Sequence, residues 1–195
     1  MFLYHSTSVK AIEKILEEGL RPSGESYRTD MVEDMEAAAE ENAICLPISR
    51  EDVVFCFASF DIATRLTSFD TGSATDTIPL RQREGIIVVD PEEINTELYV
   101  ADFQYFSDII DLTFMDEPDH AVASASYEDA LINYANSVTP ITEFESVTEM
   151  TEAFHTAEVL VEGGISESHF TEVIFAKDVL GTGYYSSYPA LPPGQ

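Results

Sequence analysis

The chain has 195 residues with 37 Asp and Glu against 9 Lys and Arg, a formal charge of −28, and three of the cations are lysines. Hydrophobic residues make up 45% and mean hydropathy is −0.04, which excludes the apolar-poor profile of a disordered acidic chain. The length suits one domain with a sizeable core, and no apolar run reaches membrane-spanning length. A globular core wrapped in carboxylates with little lysine suggests a high-salt cytoplasm, where the Debye length falls to roughly 3 Å and self-repulsion is screened. The N-terminus has no basic region followed by an apolar stretch and a cleavage signal, in keeping with a cytoplasmic location. The acids are spread along the chain instead of forming one stripe, which argues against, without removing, a nucleic-acid mimic.

In chain order, Leu3 and Tyr4 read as the end of a short strand with His5 and Thr7 at its tip. Ser8 offers an N-cap hydroxyl to a helix whose Val9, Ile12, Ile15 and Leu16 recur on one face. Gly19 supplies a left-handed stop, and Pro22 prevents resumption. Ser23 to Asp30 is polar, and an acidic helical run with Met31, Met35 and Ala37 to Ala39 follows. Asp52 to Ala58 is an apolar strand, Asp61 to Ser68 a helix, and Thr67 to Leu80 a loop. Gly85 to Val89 is the clearest buried strand, with Leu98 to Phe103 expected beside it. Tyr127 to Tyr134 reads as a helix, and Thr139-Pro140 opens an acidic connector. Ala157 to Val161 and Phe170 to Ala176 are β-type runs around Gly163-Gly164, expected to be two strands joined tightly. Residues 1–180 form the expected domain, and 181–195 a tyrosine- and proline-rich tail.

Two places carry chemistry. A strand ending in His5 and hydroxyls suits a polar ligand, although His5 could equally end a buried strand with a satisfied hydrogen bond. A carboxylate at Glu158, inside an apolar strand, requires a sheet end or a partner. The alternative is a surface glutamate on an edge strand. Cys45 and Cys56 form no close-spaced metal or redox motif and read as small core residues. His155 and Glu158 could share a metal only on a helix, whereas their segment reads as a strand, so no metal site is expected.

His5-Ser6-Thr7, trailed by Ile15-Leu16, Gly19-Leu20 and Pro22, resembles the first motif of the ADP-ribosyltransferase superfamily. Ala157-Glu158-Val159-Leu160-Val161 resembles the glutamate segment of its DarT-type DNA ADP-ribosyltransferases. The resemblance implies an α+β fold of two small, packed, mainly antiparallel sheets with flanking helices. It implies NAD as co-substrate, with His5 and Thr7 on the adenosine ribose and Ser6, in place of the usual glycine, on the carboxamide. Glu158 becomes the catalytic carboxylate. Val54 to Ser59 followed by Asp61 to Ala63 is similar in shape to the middle motif, but Cys56 replaces the tyrosine and Phe60 the catalytic arginine of the DarT group. Phe57 or Phe55 then supplies an aromatic face, and Arg65, Arg28 or Arg50 the replacement arginine; the plainer reading makes the phenylalanines core and the arginines surface.

The function so implied is transfer of ADP-ribose to a nucleic acid, DNA favoured, or to a protein, with release of nicotinamide. The segment Thr139 to Thr156 would choose the acceptor, and a toxin-like role would bring an antitoxin partner. Thr156 and Ala157 lack the second glutamate of arginine-modifying members. The rival readings are an inactive binding module of the same fold, an acidic nucleic-acid mimic, and an RNA 2′-phosphotransferase, which would need several arginines to hold phosphate.

Overall fold

The computed structural model describes residues 1–22, 29–60, 63, 84–92, 94–113 and 120–175. The strands are β1 (Leu3–Ser8), β2 (Val53–Phe57), β3 (Glu84–Val89), β4 (Leu98–Asp102), β5 (Thr139–Pro140), β6 (Ala157–Glu162) and β7 (Phe170–Phe175). The helices are α1 (Val9–Glu18), α2 (Thr29–Glu41), α3 (Phe103–Thr113), α4 (His120–Ser137) and α5 (Val147–Ala153). The strand order is β5-β4-β6-β2-β1-β3-β7 in one sheet, which corrects the expectation of two packed sheets. The physical reason lies in strands such as β3 and β6, whose side chains are buried on both faces; such strands suit sheet interiors.

The described chain falls into two compact units, taken separately. The first contains β1, α1, β3, β7 and β2 from Val54 onward. β1 pairs antiparallel with β3 in unbroken register from Leu3–Val89 to Ser8–Glu84, and β3 pairs antiparallel with β7. β1 therefore runs through His5, Ser6 and Thr7 instead of ending at them. Ser8 is the α1 N-cap by position, but its side chain makes no capping bond. Ile12 is buried, and its Cδ1 lies 2.5 Å from where a Cβ on Gly85 would sit, so the missing side chain lets α1 rest on β3.

Gly19 ends α1 at φ 78° and ψ 176°, a positive-φ extended conformation and not the left-handed helical one expected. That geometry turns the chain so that Leu20 and Ile165 exchange two backbone hydrogen bonds, of 2.8 and 2.9 Å. Gly19 and Leu20 thus form one side of a backbone clasp.

The second unit contains α2, β4, α3, α4, β5, α5 and β6. β4 pairs antiparallel with β6 and with β5, not with β3 as expected. β6 and β7 do not form a hairpin either, because β6 takes β4 and β7 takes β3. α4 begins well before Tyr127, and the acidic connector contains β5 and α5. Ser146 caps α5 by accepting from the Glu149 backbone N–H at 3.1 Å, while Glu149 accepts from the Glu145 N–H at 2.7 Å. Met31, Met35, Phe106, Ile109, Leu131 and Tyr134 fill the helical side of this core. Cys56 is buried as expected, whereas Cys45 is exposed. No helix among the described residues is long and apolar enough to cross a membrane.

Gly19→Ala tests the clasp. Its Cβ would stand 2.5 Å from the Ile165 carbonyl oxygen at a φ that alanine resists, so a loss of at least about 2 kcal/mol is expected in urea unfolding.

Candidate active site

Glu158 is the second residue of β6, opposite Ala101 of β4. It is 1% exposed, and all residues of β6 from Ala157 to Val161 are buried. The surface edge-strand reading is therefore excluded. An ionised carboxylate in such a place demands compensation, because transfer of a bare charge from water is prohibitive.

Arg50 provides it. Its Nη1 donates to Glu158 Oε2 at 2.6 Å and its Nη2 to Oε1 at 2.9 Å, the parallel two-bond geometry that suits guanidinium to carboxylate. The expectation that Arg50 lies on the surface is corrected: it is 5% exposed. Its guanidinium also lies 3.6 Å from the centroid of the Phe106 ring and 5.0 Å from that of Tyr134. Tyr134, on α4, accepts a hydrogen bond from Arg50 and donates to Glu158 Oε2 at 3.1 Å. Arginine, carboxylate and phenol form a closed triangle.

The sequence explains how Arg50 reaches this position. Residues 50–52 form a single 3-10 turn capped by Ser49, whose Oγ accepts from the Glu51 N–H at 3.3 Å. Ser49 also donates to Glu36 of α2 at 2.6 Å, and the Asp52 carbonyl accepts from the Gly163 N–H, just past β6, at 2.8 Å. The turn carrying the arginine is thus fastened to α2 on one side and to the end of β6 on the other.

Burial disfavours the Arg50 charge, but the attraction and hydrogen bonds of Glu158 and Tyr134 outweigh it, and the arginine pKa is raised. Burial likewise drives the Tyr134 hydroxyl well above its ordinary value; Arg50 pulls it down, and Glu158 pushes it further up. The cluster holds a formal negative charge, a formal positive charge and a neutral phenol. A carboxylate offers about four acceptor positions. Arg50 and Tyr134 occupy two on Oε2 and one on Oε1, leaving one on Oε1.

A second carboxylate organises the approach to Glu158. Asp102, buried at the end of β4, accepts from the backbone N–H groups of Gln104, His155 and Thr156 at 2.9 to 3.1 Å. It also takes the His155 Nδ1 at 3.0 Å. One side chain therefore caps α3 and holds the two residues before Ala157.

The other expected site residues lie in the first unit. The imidazole of His5 is half-buried, and its Nδ1–H donates to the Phe55 carbonyl at 2.7 Å. A carbonyl can only accept, so the neutral ring carries its proton on Nδ1 and leaves Nε2 as an acceptor. Burial lowers the His5 pKa, with the bond to Phe55 acting in the opposite direction. The satisfied hydrogen bond of the plainer reading is thus present, together with an acceptor nitrogen beyond it. Strand alternation places His5 and Thr7 on one face of β1 and Ser6 on the other. Phe57 pairs with Tyr4, so it shares the Ser6 face and is not brought together with His5 and Thr7. Phe57 and Cys56 are buried, and Phe60 packs edge-on against Tyr4 with centroids 5.6 Å apart. Arg65 and Arg28 lie outside the described residues. Tyr134 and Asp102 were not singled out in the sequence. The only sign of Tyr134 there is its place in the buried helical stripe with Ala130 and Leu131.

No protein-family model matches the chain, and no curated protein does. Among solved structures, it is similar to DarTG of Thermosipho africanus in complex with ADP-ribose, at 11% identity and a TM-score of 0.39, over 88% of this chain and 43% of that one. It is also similar to EcPltA, at 11% identity and a TM-score of 0.40, over 98% of this chain and 87% of that one. The chain thus spans less than half the length of the DarTG chain it matches.

Two predictions follow from the triangle's energetics. Arg50→Ala leaves Glu158 buried and unpaired and is expected to cost about 3–5 kcal/mol in denaturant unfolding. The triple change Arg50→Met, Glu158→Leu, Tyr134→Phe removes every unsatisfied group and should recover most of that loss. The second concerns alkaline pH. Because the folded-state pKa of Tyr134 lies above the ordinary tyrosine value of 10.0, the unfolded chain loses this proton first as pH rises. Its contribution is complete below pH 10.0 and falls away as pH climbs toward the folded value. Tyr134→Phe should therefore show a shallower fall in stability above pH 10.0 than the parent, read from unfolding curves across alkaline pH.

Proposed function

We propose that this chain is an NAD-dependent ADP-ribosyltransferase, transferring ADP-ribose to a nucleic acid, DNA favoured, or to a protein. One observation carries the reading: a buried glutamate in the segment Ala157-Glu158-Val159-Leu160-Val161 is held by an arginine on both its oxygens. Loss of nicotinamide takes the glycosidic electron pair with it and leaves positive charge on the ribose, as in glycoside hydrolysis. A fixed carboxylate stabilises that charge without reorganising at the moment of reaction.

In this assignment Glu158 accepts a hydrogen bond from the ribose 2′-hydroxyl at its remaining Oε1 position, while Arg50 and Tyr134 hold the carboxylate in place. Arg50 thereby takes the part that Phe60 cannot. His5 offers Nε2 to an adenosine ribose hydroxyl, Thr7 assists it, and the Ser6 backbone contributes to nicotinamide binding, while Phe57, on the other face, packs in the core. The acceptor's lone pair forms the new bond to the ribose, and its proton passes to Glu158 or to water. The exposed carboxylates Glu143, Glu145, Glu149 and Glu152 would repel a phosphate backbone at low salt, so transfer to DNA is expected to need screening by salt. A toxin-like role with an antitoxin partner belongs to the same proposal.

A second reading, a binding module without turnover, is favoured by the 1% exposure of Glu158 beneath its two partners. Both are tested by incubating the chain with labelled NAD and DNA, RNA or protein acceptors in molar KCl. Transfer is expected, with a loss on the order of 10²-fold or more in Glu158→Gln. His5→Ala should weaken NAD binding more than it slows turnover of bound NAD. Binding without transfer selects the second reading. Absence of both binding and consumption, or full activity in Glu158→Gln, defeats the proposal.

A further inference from the structure

A pocket of about 490 Å³ opens in the first unit on the face of β1 opposite His5 and Thr7. Cross-strand register builds it: Tyr4, Val88 and Glu172 form one row, and Ser6, Ile86 and Ile174 the next. Val88 and Ile174 provide an apolar floor, and Phe2, Tyr4 and Phe60 provide aromatic walls. The Tyr4 and Phe60 rings meet at 65°, making a corner instead of a closed stack. Phe2 is 47% exposed, an unusual state for a large aromatic side chain that has a pocket beside it.

The Glu172 side chain sits among these groups, half-buried, and its carboxylate makes no hydrogen bond or ion pair among the described residues. A register shift between Val88 and Val89 inserts Thr171 as the extra residue of β7. Thr171 Oγ1 donates to the Val88 carbonyl at 3.3 Å, which fixes the bulge beside Glu172. A carboxylate facing apolar and aromatic surface is poorly matched to an anion or to a neutral hydrocarbon, either of which would leave it desolvated without a partner. It is well matched to an organic cation, whose charge is attracted by both the carboxylate and the ring faces.

We propose that this pocket binds a small organic cation of quaternary-ammonium type, seated between the Tyr4 and Phe60 rings and the Glu172 carboxylate. Its methyl groups rest on Val88 and Ile174. The Tyr4 hydroxyl is consistent with this arrangement: burial, and then the negative charge of Glu172, raises its pKa. The site stands independently of the ADP-ribosyltransferase reading, since it uses neither Glu158 nor His5.

The test is a titration of the full chain, methyl-labelled at valine and isoleucine, followed by NMR in molar KCl. That salt screens the indiscriminate attraction of any cation to a chain of charge −28. Choline and a trimethyl-lysine peptide are titrated separately, dividing a free cation from a side chain, with neutral 3,3-dimethylbutanol as the isostere of choline. Saturable shifts of Val88 and Ile174 methyls with either cation support the proposal. Glu172→Gln should weaken binding about tenfold, and Phe2→Ala should weaken it as well. No saturable shift with either cation, equal binding of the neutral isostere, or unchanged affinity in Glu172→Gln in a chain that retains its spectrum overturns it.

Discussion

The hydrogen-bonded ion pair between Arg50 and Glu158 is the constraint around which the second unit is arranged. Two full charges taken out of water are tolerable only when geometry is good and the remaining donors and acceptors are met. The pair satisfies this with two parallel bonds, a phenol on the shared oxygen side, and an aromatic face against the guanidinium. A shift of any member would leave a buried charge short of a partner. The pair is therefore less a source of stability than a demand for one particular arrangement, which is the property a preorganised site requires.

That demand explains the details of the surrounding backbone. Ser49 ties the arginine's turn to α2, Gly163 ties it to the end of β6, and Asp102 holds the residues leading into β6. α4 brings Tyr134 to the carboxylate, and its ring packs against Phe106 of α3 at 5.5 Å. Small Ala101 faces Glu158 across the β4–β6 ladder, which limits crowding beside the ion pair.

The parts of this arrangement readable from sequence are those with local causes. β3 and β6 are continuous apolar runs, and α1 and α2 show helical spacing, so their positions could be read directly. α5 was not read from the sequence: its signal, Ser146 and Glu149 at capping-box spacing, is masked by the density of acids that makes the segment look like a connector. Strand pairing was not legible: β4 beside β6 and β7 beside β3 are long-range choices that no local pattern dictates. The same holds for the site. Glu158 stands out as a carboxylate in an apolar strand, whereas Arg50 lies in the polar run Ser49-Arg50-Glu51-Asp52 and looks like any surface arginine. Its burial is decided 108 residues away, by the partner it meets.

The chain's two electrostatic environments obey different rules. Its exterior carries a large excess of carboxylates, whose mutual repulsion weakens as salt is added because ions reach the space between them. The Arg50–Glu158 pair is closed to ions and balanced within itself, so screening hardly alters it. Salt thus tunes the compaction of the chain, while the ion pair inside is held by the geometry of three side chains. The part that varies with salt is on the surface, and the paired charges are inside.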